Sequence, residues 1–315
     1  MIKYNLILAK DYLRYCIVLI LFNFYSMAII SSDKYAIVIG IGEYPLESGW
    51  CEINGDKDIP LVKDFLLYNG FHENRIFILK NDEAKASAIR KTFVQLLDEV
   101  KYGDVVYVHF SGHGQQVMDL NGDEDDNYDE SWVAYDAYSE YKVGVYEGNN
   151  HILDDELNLW LHNIRQKIGS TGKITVVADA CHSGTLSAQI FNISHVLTHS
   201  IVQIASSKKD TTSSSCIRGS GSILRIPPTK QMLSSQIKAP IDWNMISACK
   251  SYQCNFEYKG KGSLTCALSM HKNILSKQPC ISLMDSITST IKNSFLLSQT
   301  PVLECSEETS LSTIF

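Results

Sequence analysis

Lys173-Ile-Thr-Val-Val-Ala-Asp-Ala-Cys-His-Ser-Gly184 is the stretch on which the fold turns. Its first six residues form a short, mostly apolar run, Lys173 to Ala178, that reads as a strand buried on both faces. Small and polar residues follow at once, and a cysteine stands among them. Asp104-Val-Val-Tyr-Val-His-Phe110 repeats the plan and runs directly into Ser111-Gly-His-Gly114. Further strands are expected at Tyr35–Gly40, Arg75–Leu79, Trp243–Ala248 and Thr300–Cys305. Between them, apolar residues recur at helical spacing over 58–67, 89–100, 153–164, 262–275 and 281–297. Strands alternating with helices predict an α/β fold with a mostly parallel sheet and helices on both faces.

Length and composition agree with this. The 315 residues are 45% apolar and 20% charged, which excludes a disordered chain and supports a large core. The net charge of −7 argues against a general nucleic-acid binder, and no nucleic-acid partner is expected. The basic residues are uneven. Lys3, Lys10 and Arg14 precede the apolar run Cys16–Phe22, and Ser26-Met-Ala28 follows. A basic start, a short apolar segment and small residues predict a signal peptide over residues 1–28 and an exported protein, periplasmic or secreted. The alternative is a retained membrane anchor, although the run is short for a span. Without residues 1–28 the remaining chain carries −9.

The two strand-end motifs carry the chemistry, because open α/β sheets place their sites beyond the carboxyl ends of the strands. Cys181 and His113 can form a nucleophile and base pair, with imidazole taking the thiol proton. The amides of Gly114 and Cys181 can then hold the oxyanion of a tetrahedral intermediate. His182 is a rival base, but adjacent to Cys181 it points elsewhere. His109, alternating with Tyr107, reads as structural. No Cys-x-x-Cys or His-x-x-x-His pair supports zinc.

Ser111-Gly-His-Gly114 together with Asp179-Ala-Cys-His-Ser-Gly184 resembles the caspase-like cysteine peptidases, specifically the metacaspase and orthocaspase branch. Supporting segments are Asp56-Lys-Asp58, Ile152-Leu-Asp-Asp-Glu-Leu157, Met245-Ile-Ser-Ala-Cys-Lys250 and Gly262-Ser-Leu-Thr-Cys-Ala-Leu268. The resemblance implies a three-layer sandwich around a mostly parallel six-stranded sheet. It implies an endopeptidase with Cys181 as nucleophile and His113 as general acid and base. It places acidic residues in the first specificity pocket, at positions matching Asp58 and Asp179, with Glu257 a third candidate. Carboxylates beside the nucleophile suit a basic side chain, so polypeptides cut after Arg or Lys are the expected substrates. A catalytically silent caspase-like interaction module and a gingipain- or clostripain-like peptidase are the alternatives.

On the same resemblance, residues 29–200 correspond to a large-subunit-like part and 241–315 to a small-subunit-like part. Residues 201–240 are Ser-rich and hold Lys208, Lys209, Arg218, Arg225, Lys230 and Lys238, which reads as a flexible linker and an expected region of self-processing. The chemistry requires no cofactor. The acidic stretch Asp119 to Glu130 reads as a loop. The resemblance implies a calcium ion held by Asp129, Asp154 and Asp155, yet the fourth matching position is Ala188. An acidic solvated loop, with Asp154 capping a helix, is the competing reading. Nine cysteines place one in the leader, one at the nucleophile and seven elsewhere, with no assigned pairing. A monomer is expected, touching membrane only through an uncleaved leader.

Overall fold

The computed structural model describes residues 32–119, 128–181, 218, 223–225, 241–250 and 253–315. The expected signal segment 1–28, most of the 201–240 linker, His182 and Ala188 lie outside the described residues. Among the described residues no helix is long and apolar enough to cross a membrane.

Six strands make one sheet: β1 (Lys34–Gly40), β2 (Ile76–Lys80), β3 (Val105–Ser111), β7 (Lys173–Asp179), β8 (Asn244–Ser247) and β9 (Val302–Glu304). Their order is β2-β1-β3-β7-β8-β9. Every pairing is parallel except β8 with the edge strand β9. The expected six-stranded α/β sheet is therefore present. β3 is buried along its whole length and β1 and β7 along nearly all of theirs. That explains why their sequences are continuous apolar runs without alternation.

Helices α1 (Ile59–Tyr68), α2 (Ala86–Glu99), α3 (Asp154–Ile168), α4 (Ser263–Met270) and α5 (Cys280–Ser289) complete the layers. One core cluster joins Ile37, Ile39, Val108 and Val176 to Ile89, Phe93, Leu157 and Leu161 of α2 and α3. A second joins Val38, Tyr107 and Ile246 to Val62, Phe65, Leu264 and Leu283 of α1, α4 and α5. Alternate residues of one strand thus feed opposite faces, and the sheet is the middle layer of three. The helix expected over 262–275 ends at Met270, and that over 281–297 gives way to a π-helical turn at Thr290–Ser294.

A second, smaller sheet is not read from the sequence. β4 (Gly114–Met118), β5 (Tyr128–Val133) and β6 (His151–Leu153) pair antiparallel in that order. β5 corrects the loop assignment at its C-terminal end, since Asp129 and Glu130 are strand residues. The two acids are buried beneath the fold rather than solvated. β4 is an edge of this sheet and starts one residue after His113.

Ile37 sits fully buried at the centre of β1. An Ile37→Ala substitution removes apolar contact and leaves a cavity, so urea unfolding should report a loss of about 2–5 kcal/mol.

Candidate active site

The sheet brings the two motifs together. β3 and β7 are adjacent and in parallel register, with Ser111 opposite Asp179 at their carboxyl ends. His113 and Cys181 each follow two residues later. Gly114 is so close to the Cys181 backbone that a Cβ there would lie 2.0 Å from the Cys181 carbonyl oxygen. Only glycine fits, which accounts for the small residues around the histidine.

His113 is buried, and its surroundings choose its tautomer. Its Nε2 donates to the Cys51 carbonyl oxygen at 2.9 Å, so Nδ1 carries the lone pair. That Nδ1 is buried and makes no hydrogen bond among the described residues. Trp50 stacks on the ring with centroids 4.8 Å apart, and the Tyr44 hydroxyl accepts from the His113 amide at 3.1 Å. Burial pushes the imidazole pKa down to about 4, against the help of the Cys51 carbonyl. A neutral ring with an unspent basic nitrogen is what a general base needs at neutral pH. Trp50 and Cys51 were missed by sequence reasoning; they sit in a 3-10 turn region with no periodic pattern to expose them.

Cys181 is buried, with the Asn255 amide donating to its Sγ at 3.1 Å. Its thiol pKa is lowered, chiefly by the neighbouring Cys249 thiol and further by the Asn255 amide, with burial opposing. Cys249 is itself buried, and its Sγ donates to the Gln253 carbonyl oxygen at 3.3 Å. Both cysteines are free thiols.

Asp58, Asp179 and Glu257 converge on one buried guanidinium, that of Arg218. Its Nη1 donates to Asp58 Oδ2 at 2.8 Å and lies 3.8 Å from Asp179 Oδ1, and its Nε donates to Glu257 Oε1 at 3.3 Å. Arg218 is 0% exposed. Each carboxylate is held by further donors. Ser111 Oγ and the Gly262 amide bond Asp58. Thr265 (amide and hydroxyl) and Asn255 Nδ2 bond Asp179. Asn54 bonds Glu257 through both its amide and its side chain. A Cβ at Gly262 would stand 2.0 Å from Asp179 Oδ2, so that residue opens the floor of the pocket. Burial raises the Asp58 pKa to about 6, with Arg218 pulling it down and Asp179 pushing it up. Burial disfavours charge on Arg218, but the three acids outweigh it and hold its pKa above the ordinary value.

The Arg218 backbone is equally engaged. Its carbonyl oxygen accepts from the Cys181 amide at 2.7 Å, and its amide donates to the Asn255 carbonyl at 3.2 Å. An arginine thus lies with its side chain among the acids and its carbonyl on an expected oxyanion donor.

The comparisons with known proteins all point to one family. The family described as "Metacaspase, peptidase C14 domain" matches residues 34–189. Residues 34–189 carry a metacaspase-like peptidase domain. A metacaspase-1 of Pyricularia oryzae is 31% identical over 49% of this chain and 37% of its own length. A metacaspase-1 of Candida albicans is 27% identical over 92% of this chain and 69% of its own. The first of these alignments spans little more than a third of the relative. Among solved structures, protein GSU0716 of Geobacter sulfurreducens superposes with a TM-score of 0.60 at 19% identity, covering 89% of this chain and 97% of that one. Caspase-1 of Spodoptera frugiperda gives 0.50 at 12% identity, covering 87% and 86%. These two likenesses establish a caspase-like fold, and the metacaspase family is one of cysteine-type peptidases.

His109 is structural, as expected: its ring nitrogens bond Tyr107, Ser111 and Thr265 in the core. The residues expected to hold calcium fall at one end of the small sheet. Asp129 is in β5, and Asp154 and Asp155 open α3, next to the β5–β6 pairing of Ser131 with Leu153. Asp154 is the first residue of α3, and Leu153, not Asp154, occupies the cap position. Among the described residues no group of three or more His, Cys, Asp or Glu side chains is arranged to hold a metal ion. No step is therefore derived through calcium.

Three buried histidines make the fold acid-sensitive. Burial lowers His109 and His113 to about 4 and His151 to about 3, from an ordinary 6.5. Between those values the unfolded chain binds more protons, so stability falls as pH falls from 6.5 toward 4. Asp58, raised to about 6, acts in the opposite direction but is one group against three. Thermal melts should show Tm dropping from pH 7 to pH 4.5; a flat or rising Tm would contradict neutral burial of these rings.

Proposed function

We propose that this protein is a cysteine endopeptidase that cleaves after Arg or Lys and processes its own chain at Arg218–Gly219. The observation that carries the reading is the seat of Arg218, a basic side chain held by Asp58, Asp179 and Glu257 with its carbonyl on the Cys181 amide. The acids were expected to form a specificity pocket, and a basic residue of the expected processing region fills it.

The reaction follows from these positions. His113 Nδ1 takes the Cys181 proton, and the thiolate attacks the carbonyl carbon of the basic residue. A C–S bond forms, and the oxygen becomes an oxyanion that the Cys181 and Gly114 amides stabilise. The C–N bond breaks, and His113 returns the proton to the departing amine. Water, deprotonated by His113, then attacks the thioester and restores the thiol while releasing a carboxylate. Cys51 holds the imidazole orientation through Nε2–H throughout, so each proton passes at Nδ1.

Purified wild type should yield two fragments, the smaller beginning at Gly219, whereas Cys181→Ala stays intact. Arg218→Lys should still be cut at this bond and Arg218→Ala should not, as read by N-terminal sequencing. Short fluorogenic peptides ending in Arg or Lys should be hydrolysed, and those ending in Asp should not. Cleavage confined to Asp, or identical fragments from Cys181→Ala, would refute the reading. The silent-module alternative would require an unreactive Cys181 in the same assay.

The scheme uses no cofactor, and calcium has no part in it, since Asp129, Asp154 and Asp155 are not grouped to hold an ion among the described residues. Cleavage of Arg peptides by the processed enzyme should persist in excess chelator. A loss reversed by calcium alone would give the ion an obligatory role.

A further inference from the structure

Arg218 is not the only linker residue seated on the fold. Leu224, six residues later, is 1% exposed and belongs to the core cluster that contains Val117 and Trp132. Its backbone bonds β4 on both sides: the Leu224 amide donates to the Gln116 carbonyl at 2.9 Å, and the Met118 amide donates to the Leu224 carbonyl at 3.1 Å. Leu224 pairs with Val117 in parallel sense. β5 occupies the other side of β4, so this contact uses the edge that the small sheet leaves open.

β4 starts at Gly114, against Cys181, and runs away from the nucleophile to Met118. Arg218 is seated on Cys181, at the start of β4, and Leu224 is seated beside Val117 in parallel sense. Six residues can span up to about 20 Å when extended, enough to follow β4 from its first residue. Ile223 is half-buried and Arg225 exposed, so Leu224 alone is inserted. Added strands gain affinity from main-chain hydrogen bonds and selectivity from alternate side-chain pockets.

We propose that the free edge of β4 is a substrate subsite downstream of the cleaved bond, binding an extended polypeptide with an aliphatic side chain six residues after the basic one. It rests on the reading of Arg218 as the residue before the cut. Leu224 is the built-in occupant of this subsite. It acts as a positioning residue for self-processing, and a separate substrate uses the same edge once Leu224 is displaced.

The test uses the full-length protein after self-processing, as wild type and as Leu224→Asp, which vacates the edge. Two synthetic peptides span residues 212–227, one native and one with Leu224→Asp. A third, short reporter ends at Arg and cannot reach β4. On the Leu224→Asp enzyme the native peptide should have a KM at least tenfold below that of the Asp peptide, with similar kcat. The short reporter should be cut equally by both enzymes. Leu224→Ile should restore the rate of self-processing that Leu224→Asp slows. Equal KM for the two long peptides overturns the subsite. If Leu224→Asp fails to fold, Met118→Pro replaces it, since it removes only the outward amide that bonds Leu224. The KM gap between the long peptides should then shrink relative to wild type, and an unchanged gap overturns the subsite. Failure to cut even the short reporter would instead strike at the Arg-directed reading itself.

Discussion

A guanidinium taken wholly out of water is costly, and the site answers that cost at Nη1 and Nε, while Nη2 has no partner among the described residues. Three carboxylates and the Asp179 carbonyl surround Arg218, so the ion is buried with partners. The acids in turn exceed one positive charge, and they are kept in place by Ser111, Asn255, Gly262, Thr265 and Asn54. Burial, with Asp179 beside it, raises the Asp58 pKa against the pull of Arg218. Remove the cation and the same acids repel one another in a low-dielectric site. The pocket is therefore a demand for a basic side chain, written in desolvation.

That demand reaches across the whole sheet. Asp58 leads into α1 after β1, Asp179 ends β7, and Glu257 follows β8, so the acids come from sequence positions up to about 200 residues apart. Parallel pairing is what makes their carboxyl ends coincide. The same pairing aligns Ser111 with Asp179 and so sets His113 and Cys181 on neighbouring strands. The acid cluster and the Cys181–His113 pair share one scaffold, and Asn255 links them directly, donating its amide to the Cys181 sulfur and its side chain to Asp179. A shift of β7 against β3 by one residue would misplace nucleophile and pocket together.

The main sheet was legible because buried parallel strands leave a strong mark: Tyr35–Gly40, Asp104–Phe110 and Lys173–Ala178 are continuous apolar runs, each followed by small residues. His113, Cys181 and the three acids could be named from motif and resemblance. The small sheet left no such mark. Gly-Gln-Gln-Val-Met in β4 lacks alternation, because its residues are buried by polar contacts such as Gln115 with His151. β5 begins with buried acids that look like a solvated loop. Trp50 and Cys51 act through a ring face and a backbone carbonyl, which no side-chain pattern reports. Arg218 was visible as one of six linker cations, but nothing local separates it from Lys208 or Arg225. Its distinction is tertiary.

The intramolecular seat of Arg218 also bears on how such an enzyme, read as proposed, would be controlled. A tethered ligand competes at an effective concentration set by its linker, typically in the millimolar range for short flexible tethers. A free polypeptide with micromolar affinity would rarely displace it while the chain is intact. Two anchors strengthen the effect, since Arg218 and Leu224 are fixed at separate places and each raises the local concentration of the other. Cutting between them changes the arithmetic. The two anchors then belong to different chain ends, each free to leave alone, and each leaves with the affinity of a single contact rather than of the pair. Hydrolysis also converts the Arg218 carbonyl, held on the Cys181 amide, into a carboxylate. The bond that is best held in the intact chain becomes, once broken, the product least suited to stay.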